Sequence, residues 1–160
     1  MKIAKLIAPC LFALAPATPA AADATIQIKL WDKGGMMDMS KDMGFGMGMH
    51  GNMKMAIMGI DVDQASVPAG KVTFNVANVS KETVHEMLVS PIAGPDVTLP
   101  FIANENRVNE EAWGDLGEVS ELDPGKAGSL TLDLKPGLYV LFCNVPGHFT
   151  AGMWTTIEVK

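Results

Sequence analysis

The most informative segment of the chain reads Tyr139-Val-Leu-Phe-Cys143-Asn-Val-Pro-Gly-His148-Phe-Thr-Ala-Gly-Met153-Trp154. Its first residues are apolar and predict a buried strand that delivers a cysteine. A Pro-Gly loop follows, and a histidine and a methionine come at intervals of five residues. A loop held between two strands can bring these three side chains around one ion. Thiolate, imidazole and thioether are soft or borderline ligands, a set that suits copper in both of its oxidation states.

A copper site of this kind needs a second histidine, and outside the segment the chain offers only His50 and His85. His85 lies at the start of a predicted strand, which is a fixed position, whereas His50 lies in a glycine-rich stretch. We therefore predict that His85, Cys143 and His148 form a trigonal plane around copper, with Met153 as the weak axial ligand of a type 1 (blue) site. Each residue also has an ordinary alternative, as a buried thiol, a surface or structural histidine, or a core methionine.

Short alternating runs separated by turns predict an all-β fold for the rest of the chain. We count about seven strands, at a spacing typical of a Greek-key β-sandwich. The clearest of them cover residues 24–31, 71–78, 84–92, 129–134, 138–142 and 154–159. Residues 104–113 predict a short helix rich in acidic side chains, inside the segment 96–125 that has the weakest pattern.

Residues 33–58 hold nine of the twelve methionines together with many glycines, and we predict that they form a loop insertion. Thioethers bind Cu(I), stay unprotonated and cannot form disulfides. Met43, Met47 and Met49 are the candidate ligands of an additional Cu(I) site. The alternative is an adaptable loop that binds no metal. Met58 has a different interpretation, since it can pack on a strand as part of the core.

The first 22 residues have the features of a secretory signal peptide: a basic head, a short apolar stretch and a small-residue cleavage pattern. The alternative is an amphipathic helix in a cytosolic protein. With the signal interpretation, one mature domain spans residues 23–160, exported to the periplasm without a membrane anchor. The apolar stretch is too short to cross a membrane as a helix.

Net charge and cysteine usage limit the classes of partner. The full chain has 12 basic and 18 acidic residues; loss of Lys2 and Lys5 leaves 10 basic residues, or a charge of about −8. This balance argues against nucleic acid and for basic partners. The acidic residues between positions 105 and 123 form either a solvated face or a docking patch. Cys143 is the only cysteine of the mature chain, so it has no internal disulfide partner.

The pattern resembles that of the cupredoxins, the small blue-copper proteins related to plastocyanin and azurin. The resemblance is carried by Val67–Gly70, Phe74–Asn78, His85 and the segment Cys143–Met153. It implies a β-sandwich with copper at one end and electron transfer as the usual role. Residues 33–58 are similar to extensions of copper-handling cupredoxins. Family members often carry asparagine after the first histidine ligand, where its hydrogen bonds tie the ligand loops together; here Glu86 takes that place.

These observations predict a periplasmic electron carrier with one type 1 copper, which contributes to copper tolerance through its methionine-rich segment. The alternative is a Cu(I) chaperone or scavenger that uses the same segment. We do not predict an enzyme, because three histidines are too few for the additional copper centres that oxidases and reductases require. The expected partner is a redox protein with a basic surface, such as a cytochrome.

Overall fold

The computed structural model of the protein describes residues 23–34 and 56–160. The predicted signal peptide and most of the methionine-rich segment lie outside these residues, and so do His50 and the candidate Cu(I) ligands Met43, Met47 and Met49.

The described part of the chain contains eleven strands and one short helix. They are β1 (Ala24–Asp32), β2 (Met58–Val62), β3 (Ser66–Val67), β4 (Gly70–Asn78), β5 (His85–Ile92), β6 (Phe101–Ile102), β7 (Arg107–Val108), α1 (Glu110–Trp113), β8 (Gly117–Leu122), β9 (Ala127–Leu134), β10 (Gly137–Phe142) and β11 (Trp154–Val159).

Nine of the eleven strands form two sheets that face each other, which confirms the predicted β-sandwich, and β6 pairs only with β7. One sheet has the order β2-β1-β4-β9 and the other β3-β11-β10-β5-β8. Alternation along β1 shows why the sheets pack, since Ile26, Ile28 and Leu30 are buried while Gln27 and Lys29 are exposed. Buried side chains from both sheets then form one hydrophobic core between them.

A second, smaller core covers the outer face of β5 and β10. Leu88, Val140 and Phe142 point away from the main core and pack with Leu99 and Phe149 in this second cluster. The two strands are therefore buried on both faces. This explains why the run before Cys143 is continuously apolar rather than alternating.

The predicted helix over residues 104–113 is wrong in extent. Residues 101–108 form the β6–β7 hairpin, in which Phe101 pairs with Val108 and Asn106 turns the chain with a φ of 51°. The helix begins only at Glu110. Asn109 is its N-cap residue, and Asn109 Oδ1 accepts a hydrogen bond from Ala112 N–H. It is a single turn long because the chain leaves the helical conformation at Gly114, whose φ is 76°.

Two other outcomes concern strands. The prediction gave about seven strands, and the structure adds β8 and the two-residue strands to these. Met58, the last residue of the predicted insertion, begins β2 and is fully buried, so its interpretation as a core residue is the one the structure supports.

Among the described residues, no helix has the length and apolar character needed to cross a membrane.

One end of the sandwich collects the chemically important residues. β1 ends there at Asp32, β4 at Asn78 and β10 just before Cys143, while β5 begins there at His85 and β11 begins just after Met153. The pairing of β5 with β10, and of β10 with β11, is antiparallel, which brings the start of β5 and β11 next to the end of β10.

Candidate metal centre

The loop between β10 and β11 is closed at its base by backbone hydrogen bonds. Cys143 N–H donates to the carbonyl of Met153 over 3.0 Å, and Met153 N–H donates to the carbonyl of His148 over the same distance. Gly147 and Gly152 have φ values of 85° and 97°, a region that side chains with a Cβ rarely adopt. The two glycines thus let the loop fold back on itself in a compact set of turns.

Three donor atoms meet at this end of the sandwich. His148 Nδ1 lies 3.2 Å from His85 Nδ1 and 3.3 Å from Cys143 Sγ. His85, Cys143 and His148 are all buried, and their donor atoms lie within 4.8 Å of one another. Donor atoms bound to one ion at about 2.0–2.3 Å are roughly 3–4 Å apart. The observed spacing therefore suits a single ion between them.

The donor set fits copper. Two imidazoles and one thiolate are the in-plane ligands of a type 1 site, whose axial ligand is commonly a distant methionine. Met153 is fully buried and its backbone is hydrogen bonded to both Cys143 and His148, next to the three donors. The site as a whole fits one type 1 copper.

The protonation states of the metal-free site also suit a metal ligand set. Burial, followed by the charge that His85 would carry, lowers the pKa of His148 to about 4. Burial lowers the pKa of His85, against the effect of Asp32. Both imidazoles are therefore neutral at pH 7, with a lone pair free. Burial raises the pKa of the Cys143 thiol to about 12, so a metal must displace this proton when it binds.

His85 has two acceptors on the side of its ring that faces away from the other donors. His85 Nε2 lies 2.8 Å from Ser80 Oγ and 3.3 Å from Asp32 Oδ2. Burial alone would raise the pKa of Asp32, but hydrogen bonds from Ser80, Gly34, His85 and Thr83 outweigh it and the pKa is lowered. Asp32 is therefore ionised at neutral pH. No pattern in the sequence predicted a role for this residue at the site.

Glu86 links the two ligand-bearing segments. Its backbone N–H donates to Cys143 Sγ over 3.5 Å, and its Oε1 accepts from Asn144 N–H over 3.1 Å. The side chain thus makes the loop-to-loop connection that the resemblance assigns to an asparagine at this position. Burial, together with the nearby carboxylates of Glu118, Glu121 and Glu110, raises the pKa of Glu86 to about 7, while the hydrogen bond from Asn144 acts in the opposite direction.

Asn144 ties the acidic segment to the metal-binding end. Its Oδ1 accepts from Val108 N–H over 2.7 Å, and its Nδ2 donates to the Val108 carbonyl over 2.9 Å and to Glu110 Oε1 over 2.5 Å. Because Asn144 follows Cys143 directly, these hydrogen bonds hold the β6–β7 hairpin and α1 beside the Cys143 thiol. This role could not be predicted from the sequence, because a side chain that hydrogen bonds to the backbone of a distant strand leaves no local pattern.

Comparison with known proteins agrees with this geometry. The model of the copper-binding plastocyanin/azurin family matches residues 47–160. Rusticyanin from Thiobacillus ferrooxidans is 16% identical over 85% of this chain and 76% of its own, with a TM-score of 0.54. A reduced rusticyanin, also 16% identical, covers 85% and 78% with a TM-score of 0.56. Auracyanin B is 19% identical over 90% and 93%, with a TM-score of 0.50. At these identities the likeness concerns the fold. A sequence search of curated proteins returned no match.

Proposed function

The chain belongs to the plastocyanin/azurin family of copper-binding proteins, and on that premise we propose that it is a periplasmic one-electron carrier whose type 1 copper is held by His85, Cys143, His148 and Met153. Copper binding and electron transfer are the properties that the family and the donor set support directly. The periplasmic location, the role in copper tolerance and the individual ligand assignments are the proposal.

One observation carries the ligand assignment. Nδ1 of His148 lies within 3.3 Å of both His85 Nδ1 and Cys143 Sγ, at a buried end of the sandwich. When bound, copper accepts and releases one electron as it changes between Cu(I) and Cu(II).

The protein supplies rigidity and exclusion of water. His85 is anchored at the start of β5, and the loop that carries the other donors is closed by its own backbone hydrogen bonds. The N–H of Glu86 points to the sulfur of Cys143. These contacts hold the donor atoms in one arrangement in either oxidation state, so that little rearrangement accompanies the gain or loss of an electron. Burial of the site limits the access of water to the ion.

A redox protein with a basic surface is the proposed partner. His148 is 6% exposed and reaches the surface beside the exposed Pro146, which makes it the proposed edge for electron exit. The carboxylates of Glu110, Glu118 and Glu121 lie close enough to Glu86 to affect its pKa, so negative charge flanks the same end of the molecule. A basic partner such as a cytochrome would be attracted to this end, with an association rate that falls as salt increases.

The periplasmic location is supported by the signal-like pattern of residues 1–22 and by the chemistry of the mature chain, which keeps a single thiol.

Electron transfer rather than catalysis is proposed, because two of the three histidines belong to the one copper site. The remaining histidine is not enough for a second catalytic copper centre.

The decisive experiment measures copper per chain together with the visible spectrum of the oxidised protein. We expect one copper and a strong thiolate-to-copper charge-transfer band, which Cys143→Ser abolishes because a hydroxyl is too hard and too weakly basic to replace the thiolate. An unchanged band in that variant would refute the type 1 assignment.

Two buried methionines provide a matched pair for the axial ligand. Met153 and Met58 are both fully buried, so replacement by leucine has a similar effect on packing in each. Met153→Leu should change the spectrum and the reduction potential, whereas Met58→Leu should leave both as in the wild type. Equal behaviour of the two variants would remove Met153 from the ligand set.

The methionine-rich segment favours a second candidate function, a Cu(I) chaperone or scavenger. Apart from the core residue Met58, eight methionines between residues 33 and 58 offer thioethers that prefer Cu(I) over Cu(II). Deletion of residues 36–52 should leave the charge-transfer band in place, lower the Cu(I) bound under reducing conditions and reduce copper tolerance in cells. If the shortened protein binds as much Cu(I) as the full chain, electron transfer stands alone and copper handling by this segment is refuted.

A further inference from the structure

Asp32 lies at the end of β1, next to the proposed copper ligand His85 but outside the ligand set. We propose that Asp32 is a positioning residue for the copper site: with Ser80 it holds His85 in the tautomer that carries its proton on Nε2, and its charge lowers the reduction potential of the bound copper. The inference rests on the proposed function in one respect, that His85 is a ligand.

The contacts of Asp32 are those of a built acceptor rather than a surface carboxylate. Its side chain is 3% exposed, and that of His85 is 0% exposed. Oδ2 lies 3.3 Å from His85 Nε2, and Oδ1 accepts from Gly34 N–H over 2.6 Å. Both oxygens of the carboxylate are therefore engaged, which fixes the orientation of the group relative to the imidazole.

Ser80 is held just as firmly. Its N–H donates to Asn78 Oδ1 over 3.0 Å, and Asn78 Nδ2 donates to the carbonyls of Thr83 and Leu122 over 2.8 and 2.7 Å. This network organises the connection between β4 and β5 and places Ser80 Oγ 2.8 Å from His85 Nε2. The parallel pairing of β1 with β4, with Leu30 opposite Asn78, brings Asp32 to the same point.

The tautomer of His85 follows from these acceptors. A carboxylate has no proton to donate, so the nitrogen that faces it must carry one. Nε2–H then donates to Asp32 and Ser80, and the lone pair of Nδ1 faces the donor atoms of Cys143 and His148. Carboxylate–histidine pairs behind metal ligands fix the ring in this way and make the imidazole a stronger donor.

The sign of the effect on the potential follows from charge. Cu(II) carries one more positive charge than Cu(I), and a buried carboxylate beside a ligand stabilises the higher charge more. Asp32 should therefore lower the reduction potential. A purely structural role, in which Asp32 only fixes the end of β1 through Gly34, would leave the potential unchanged in a variant that keeps the fold.

The test uses variants that separate charge from structure. Asp32→Asn keeps the shape of the side chain and one acceptor oxygen but removes the charge. Asp133→Asn is the matched control: Asp133 is exposed on β9 and pairs with Lys71, seven residues along β4 from Asn78. Along β4, Lys71 is therefore about 23 Å from Asn78, at roughly 3.3 Å per residue. This distance is well beyond the Debye length of about 8–10 Å in physiological salt, so the charge of Asp133 is screened from the copper site.

In the copper-loaded protein we expect Asp32→Asn to raise the reduction potential while the charge-transfer band is retained, and Asp133→Asn to leave the potential as in the wild type. A potential unchanged in Asp32→Asn, or raised equally in Asp133→Asn, would overturn the proposed effect of the charge. Ser80→Ala removes the shorter contact without changing charge or the end of β1. It keeps the test informative if Asp32 variants fold poorly, because loss of this contact should also shift the potential, and an unchanged value would count against the proposal.

The metal-free protein gives a second measurement that does not depend on copper. Nitrogen-15 NMR of the imidazole ring should show His85 with its proton on Nε2 in the wild type. The double variant with Asp32→Ala and Ser80→Ala should populate the Nδ1–H tautomer. A ring that stays in the Nε2–H form in that variant would overturn the positioning role. If the wild type lacks a charge-transfer band, the proposed function fails, whereas this measurement still tests Asp32.

Discussion

Replacement of Glu86 by glutamine should stabilise the metal-free protein at alkaline pH and have little effect at acidic pH. Glu86 is 8% exposed, and its pKa rises from an ordinary value of 4.5 to about 7, first because of burial and then because of Glu118, Glu121 and Glu110. Its side chain accepts a hydrogen bond from Asn144 N–H. Glutamine keeps an acceptor oxygen for this bond and cannot ionise.

The sign and size of the effect follow from proton linkage. The unfolded chain loses the Glu86 proton near pH 4.5, whereas the folded chain keeps it to about pH 7. Between these values the folded state binds more protons, so this contribution to stability is complete at low pH and is lost as pH rises through 7. The full difference corresponds to roughly 3 kcal/mol at about 1.4 kcal/mol per pKa unit. Screening by solvent and salt reduces it to about 1–2 kcal/mol.

Urea unfolding of the metal-free protein at pH 5, 6, 7 and 8 measures this effect. The free energy of unfolding of Glu86→Gln, minus that of the wild type, should increase by about 1–2 kcal/mol from pH 5 to pH 8. Glu111→Gln is the control, since Glu111 is exposed in the same acidic segment. The reasoning is refuted if the difference for Glu86→Gln is constant with pH, or if Glu111→Gln reproduces the same increase.

Three further predictions concern the ligand choice, the acidic segment and the first sheet. His50→Gln should leave the charge-transfer band intact and His85→Gln should remove or strongly shift it; the reverse result would place the second histidine ligand in the methionine-rich segment. Asn144→Ala leaves the buried N–H and carbonyl of Val108 in β7 without their partners. In denaturant titrations it should lower the free energy of unfolding by about 2–4 kcal/mol, and a loss under about 1 kcal/mol would contradict this. Gly59→Ala would put a Cβ 2.6 Å from the ring of Trp31. We therefore expect the free energy of unfolding to fall by about 1–3 kcal/mol and the tryptophan fluorescence to change. An unaltered melting temperature would argue against this tight packing.

The strands that the sequence analysis predicted are those with strong local patterns. β1 alternates buried and exposed residues, and β10 is continuously apolar because it is buried on both faces. β8 was missed because only Val119 of its six residues is buried, so its position depends on pairing with β5 rather than on its own pattern. The helix predicted over residues 104–113 failed for a related reason, since the β6–β7 hairpin is held by contacts with Asn144 from a distant part of the chain.

The residues of the candidate site also differ in whether a local sequence pattern predicts them. The spacing of Cys143, His148 and Met153 is a local signal, and the fixed position of His85 at a strand start favoured it over His50. Asp32 left no comparable signal. Its contact with His85 spans 53 residues and depends on the parallel pairing of β1 with β4. A pairing between strands so far apart in sequence is decided by the whole fold, and the local alternation of β1 does not specify its neighbour.

The uneven spacing of the donors along the chain has a consequence for the order in which a copper site assembles. Cys143 and His148 are five residues apart, whereas His85 and His148 are separated by 63. In an unfolded chain, closing the longer loop costs about 2 kcal/mol more conformational entropy than closing the shorter one. Copper that meets an unfolded chain would therefore reach the Cys143 thiolate and the His148 imidazole first. His85, the proposed second histidine ligand, would join only when β5 pairs with β10, so the last coordination bond would form together with this long-range pairing.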